Sequence, residues 1–114
     1  DIPHFRRFVR KIGWQITDEK MVLEDGKFYP MMKVIHGEKM HISEDTPYTL
    51  DEWFGGMLLE RKHPVLREYL ERELRIRNEI LDRLKNAPNA EKRAGEIEEE
   101  KQAVIAALEE YEGI

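Results

Sequence analysis

Cysteine is absent from this 114-residue chain, and serine occurs once, at Ser43. No disulfide can form, which suits a reducing compartment. No thiol nucleophile is available, and Ser43 lies in a polar connector with no glycine elbow around it. A phosphate-cradling glycine loop is missing too, because Gly55-Gly56 is not followed by a Lys-Ser/Thr pair. His4, His36, His41 and His63 are the only imidazoles, and they show no HExxH or Cys/His zinc spacing. No apolar run approaches the ~18 residues needed to cross a bilayer. The sequence opens on Asp1, not methionine, so an upstream segment is compatible with it. These absences predict no enzyme, with no catalytic residues, no cofactor and no metal site, and no membrane partner. The expected location is the cytoplasm.

Charge is plentiful but uneven. The formal net charge is -5, with 38% of residues charged. Residues 1–42 hold eight Lys/Arg against six Asp/Glu, whereas residues 43–114 hold eleven against eighteen. A uniformly basic surface for long nucleic acid is therefore excluded, and only a local basic patch remains.

The periodicities predict an α+β chain. Phe5, Phe8, Val9 and Ile12 share one face of a short N-terminal helix, with Arg6, Arg7, Arg10 and Lys11 on the other. Alternating residues follow from Trp14, and Asp25-Gly26 between two β-prone runs is a strong hairpin signal. A turn at His36-Gly37-Glu38 and a last strand over 39–42 would complete an antiparallel β-meander of three to four strands. Pro30 is expected to interrupt it or mark an edge. Thr49 and Glu52 match a capping box ahead of a short amphipathic helix. The pair Gly55-Gly56 should bend that helix or let another backbone approach closely.

Two long stripes complete the pattern. Leu66, Leu70, Glu73, Arg77, Ile80 and Leu84 alternate steps of four and three, as do Ala90, Ala94, Ile97, Lys101, Val104 and Leu108. Folding back at Ala87-Pro88 pairs them in reverse as a long antiparallel helical hairpin, and Glu73 meets Lys101. The expected organisation is a single domain, 1–114, comprising helix plus meander (1–42), connector plus short helix (43–63) and helical hairpin (64–114).

Three candidate sites follow. Trp53, Phe54, Met57 and Leu58 carry enough apolar surface to meet a protein partner, although the same stripe could cover the sheet. Arg6, Arg7, Arg10 and Lys11 are the candidate nucleic-acid contacts, with Phe5, Phe8, Trp14 and Phe28 read as core. Glu73, Arg77 and Lys101 form a structural ionic layer that penalises register slips. On these residues the chain reads as a non-catalytic protein-interaction or regulatory module. It would present its coiled-coil-like hairpin to a protein partner or to a second copy as a homodimer. The alternative is a nucleic-acid-associated protein using the basic first helix and adjoining sheet.

Overall fold

The computed structural model describes residues 2–39, 41–43 and 45–112. In chain order the elements are α1 (Ile2–Lys11), β1 (Trp14–Glu24), β2 (Lys27–His36), α2 (Leu50–Phe54), α3 (Gly56–Glu60), α4 (Pro64–Leu84) and α5 (Glu91–Tyr111). They group into two compact units, Asp1–Leu66 and Arg67–Ile114.

In the first unit, β1 and β2 pair antiparallel around Asp25-Gly26. Both turn residues have positive φ, 51° and 76°, as a tight primed turn requires. The register runs from Glu24 opposite Lys27 to Trp14 opposite His36, with one irregularity between Ile16 and Asp18. Pro30 stays within β2 opposite Met21, where an edge strand tolerates its missing N–H.

The sheet among the described residues has two strands, fewer than the three to four of the expected meander. Lys39, His41 and Ile42 lie outside any strand, and Met40 falls outside the described residues. The reason lies at Gly37, whose N–H donates to the Gly13 carbonyl at the exit of α1. The segment after β2 is therefore drawn onto that exit and does not turn back along β2. A side chain at Gly13 (φ 91°) would meet the Gly37 carbonyl oxygen at 2.9 Å, so the closure needs glycine there.

Thr49 caps α2 as expected. The Glu52 N–H donates to Thr49 Oγ1 at 3.1 Å, and the Thr49 N–H donates to Glu52 Oε1 at 2.9 Å. Gly55 (φ 92°) then separates α2 from α3. Val9, Met21, Phe54, Leu58, Leu59 and Leu66 are the buried apolar residues of this unit. Pro64 opens α4, and His63 Nδ1 accepts from the Val65 N–H at 3.3 Å.

In the second unit, α4 and α5 are joined by residues 85–90, with Asn89 in the left-handed region at φ 57°. Leu70, Ala90, Ile97 and Val104 are buried in phase with the predicted stripes, while Ala107 is buried in place of the half-buried Leu108. An ion pair between these helices runs from Arg77 Nη2 to Glu100 Oε1 at 3.0 Å, while Arg77 Nη1 holds Glu73 Oε1 at 2.8 Å along α4. Arg77 thus takes the bridging role expected of Lys101, because a guanidinium fork can serve two carboxylates at once. We expect Arg77→Ala to cost about 1–2 kcal/mol, leaving two half-buried carboxylates without their shared cation. Lys101→Ala should cost less than about 0.5 kcal/mol in the same urea titration. Equal costs would remove Arg77 from its bridging role.

Candidate functional site

The first helix is turned inside out relative to its amphipathic pattern. Arg6 and Arg7 are only 2% and 7% exposed, whereas Phe5 and Phe8 are 46% and 50% exposed. A buried guanidinium requires counter-charge and filled acceptor positions, since taking it out of water is costly. Both are supplied from a distance in sequence.

Arg7 forks onto Glu52, with Nε to Oε2 at 2.8 Å and Nη2 to Oε1 at 2.7 Å. It also donates to the carbonyls of Thr46 (2.5 Å) and Pro47 (2.8 Å), and its guanidinium lies 4.5 Å from the centre of the Tyr48 ring. Arg6 donates from Nε to Glu19 Oε1 at 3.1 Å and from Nη1 to the Glu52 carbonyl at 3.0 Å. Arg10, partly exposed, reaches Glu52 Oε2 at 3.4 Å. The other Glu19 oxygen accepts the Met57 N–H at 3.1 Å, at the start of α3. Arg61 pairs with Asp18 at 2.9 Å near the surface. The hydrogen bonds from Arg7 hold the Glu52 carboxyl below its ordinary pKa, against the opposing effect of burial.

The network joins α1, β1, α2 and α3 into one block. Beside it lies an open concavity of about 780 Å³, lined by Arg10, Trp14, Gln15, Lys39, Asp51 and Glu60 among others, with Arg6, Glu19 and Glu52 also in its wall. Trp14 is 39% exposed and contacts the His36 ring at 5.6 Å between centroids. It is not a core residue.

These positions change the reading of each candidate. Arg6 and Arg7 are held internally by Glu19, Glu52 and backbone carbonyls, whereas Arg10 and Lys11 of the same basic face stay half-buried. Phe54 and Leu58 are buried, leaving only the half-buried Trp53 and Met57 of that proposed partner surface. Trp53 packs edge-on against Tyr48, with ring centroids 5.5 Å apart. Glu19 and Glu52 were missed. The available signal was Glu19 itself, two residues from Met21 and so in the inward phase of β1.

Comparison with known proteins defines the class first: residues 1–109 match the family model of an RNA-modifying methyltransferase, described as tRNA (adenine(22)-N(1))-methyltransferase. The chain belongs to that family, TrmK. No curated protein matches the sequence. Among solved structures it is similar to the B. subtilis M1A22 tRNA methyltransferase TrmK, with TM-score 0.74 and 19% identity over 92% of this chain and 46% of that one. M. capricolum TrmK, solved with S-adenosyl-homocysteine, gives TM-score 0.75 and 20% identity over 97% and 46%. An uncharacterized Listeria monocytogenes protein gives 0.79 and 21% over 94% and 46%. The chain thus spans less than half the length of these relatives.

The family overturns the expectation of a non-catalytic interaction or regulatory module, and with it the coiled-coil and protein-partner emphasis. TrmK is an enzyme family. The alternative reading, association with nucleic acid, is consistent with a family described as a tRNA methyltransferase.

Proposed function

We propose that this chain works in methylation of N1 of adenine 22 in tRNA, as part of an enzyme that uses S-adenosylmethionine. The family match over residues 1–109 carries this reading. Adenine N1 lies on the Watson–Crick edge, so the acceptor base has to be unpaired to be reached. That nitrogen has its own lone pair, so the absence of a Cys or Ser nucleophile says nothing against methyl transfer.

The residues present do not fit the methyl donor. An adenosine cofactor in an α/β enzyme typically rests on a glycine-rich turn between a strand and a helix, with a free carboxylate for the ribose. Here Gly55-Gly56 is hemmed in by this chain's own carboxylates. Glu19 lies 2.7 Å from where a Gly55 side chain would start, and Asp51 lies 2.9 Å from the same point on Gly56. Glu19 and Glu52 are already held by Arg6, Arg7 and backbone donors. We therefore place the donor site in the part of the family's length that this chain does not span.

tRNA is the partner this reading implies, in place of a protein partner or homodimer. On the hairpin, cross-strand neighbours share a face, and Lys20 and Lys33 lie exposed on the face opposite Met21, with Lys27 exposed at the turn. We assign phosphate contacts to these three lysines. The finer reading of α4 and α5 is an antiparallel helical arm. Exposed Glu96, Glu98, Glu99, Glu109 and Glu110 on α5 repel phosphate, so we assign no RNA contact to them.

The test is deletion of the encoding gene in its native host, followed by mass spectrometry of tRNA nucleosides and reverse transcription across position 22. The expected result is loss of N1-methyladenosine at that position and its return with the reintroduced gene. Persistence of the modification would overturn the reading.

A further inference from the structure

The concavity beside the Arg6–Glu19 and Arg7–Glu52 pairs takes no part in the phosphate contacts assigned above. Trp14 stands in its wall, with its ring against His36 and over a third of its surface in water. A half-exposed indole at the edge of a cavity is a stacking platform for a planar group. The volume, about 780 Å³, falls within the range of about 300–1,000 Å³ usual for small-molecule sites. The buried ion pairs tie α1, β1 and α2 together, so the wall is in place before a ligand arrives.

The charges in the wall select the ligand. Glu19 and Glu52 are neutralised by Arg6 and Arg7 and offer little to a guest. Half-buried Arg10 and exposed Lys39 supply positive charge, and Glu38, Asp51 and Glu60 present exposed carboxylates. A bare anion would meet three carboxylates, and a bare cation would meet two cations. A ligand carrying both a phosphate and a hydrogen-bond donor edge suits both signs. Guanine has two adjacent donors on its Watson–Crick edge, N1–H and the exocyclic amine, which match the two oxygens of one carboxylate. Adenine turns the N1 lone pair toward that carboxylate, cytosine turns N3, and uracil flanks its single N–H with carbonyls. We propose that this concavity binds a guanine nucleotide. Trp14 stacks on the base, the Asp51–Glu60 wall accepts from its donor edge, and Arg10 and Lys39 hold the phosphate. A free nucleotide and an unpaired guanosine of tRNA share this chemistry.

The experiment is titration of the whole chain with GMP, followed by the indole N–H resonances of Trp14 and Trp53 and by calorimetry. Saturable movement of the Trp14 resonance, with Trp53 unmoved, is the expected result. GMP should bind at least about tenfold more tightly than AMP, CMP, UMP or S-adenosylmethionine. Asp51→Asn/Glu60→Gln should bring GMP and AMP within about twofold of each other. Lys39→Ala should weaken GMP by about fivefold and leave guanosine, which has no phosphate, unchanged. Trp14→Ala should weaken GMP and guanosine alike by at least about tenfold. If that variant loses its dispersed amide spectrum, Trp14→Leu takes its place, filling the wall without a ring to stack on. A second arm adds unmodified tRNA. Displacement of GMP assigns the site to an RNA guanosine, and retention of GMP assigns it to the free nucleotide. Absence of a saturable shift with GMP overturns the proposal. Equal affinities for GMP and AMP, tighter binding of S-adenosylmethionine, or affinities unchanged in the Trp14 and carboxylate variants overturn it as well.

Discussion

Replacing Arg7 with methionine is expected to destabilise the first unit by roughly 3–5 kcal/mol, the usual cost of breaking a buried ion pair from one side. Glu52 is left with its carboxylate 2% exposed and loses both prongs of its fork. Two carbonyls, of Thr46 and Pro47, lose their donor together with it. Urea unfolding followed by tryptophan fluorescence measures this directly, because Trp14 and Trp53 both lie in the first unit. Glu52→Met should cost a similar amount, since it also removes the capping box. The double variant Arg7→Met/Glu52→Met should cost less than the sum by at least about 1.5 kcal/mol, because each single change leaves a buried charge that the other removes. Strict additivity would show that the two do not act as a pair.

The same pair sets an acid limit. In the folded chain the Arg7 hydrogen bonds hold the Glu52 pKa below its ordinary 4.5. Its contribution is therefore present above pH 4.5 and is lost as pH falls through the lower, folded value. The fall in stability below pH 4.5 should be shallower in Glu52→Gln than in the unsubstituted chain.

The second large effect is at Gly55. Its φ of 92° and ψ of 113° lie where side chains are rarely tolerated, and an added Cβ would stand 2.7–2.9 Å from the Glu19 carboxylate. Backbone strain of about 1–3 kcal/mol adds to displacement of Glu19 from Arg6 and from the Met57 N–H. We expect Gly55→Ala to cost about 3–4 kcal/mol. Gly26→Ala has a positive φ but nothing within 4 Å, so its cost should stay near 1 kcal/mol. If the two variants melt together, the close approach of Glu19 contributes nothing.

The contrast between these glycines shows how the sequence was readable. Asp25-Gly26 announces a turn by residue type alone, and the turn stands where expected. Gly55-Gly56 announced a bend or the close approach of a backbone; the bend occurs, but the group that comes close to Gly55 is a side-chain carboxylate on β1. Nothing near Gly55 in sequence names Glu19. The catalytic character of the family was hidden for a different reason. Methyl transfer to adenine N1 draws its nucleophile from the substrate, and the chain spans under half the length of its solved relatives.

Local order was determined by the sequence itself. The Asp25-Gly26 turn, the Thr49–Glu52 capping box and the start of α4 at Pro64 all rest on interactions within a few residues. The direction in which α1 faces was decided only by the tertiary structure. Its amphipathic pattern predicted phenylalanines inward and arginines outward, and the reverse occurs. The counter-charges for Arg6 and Arg7 come from residues 13 and 45 positions away. A helix pattern specifies two faces, but which one is buried depends on what the rest of the chain brings against it. Here Glu19 and Glu52 drew Arg6 and Arg7 inward beside Val9 and left Phe5 and Phe8 turned outward.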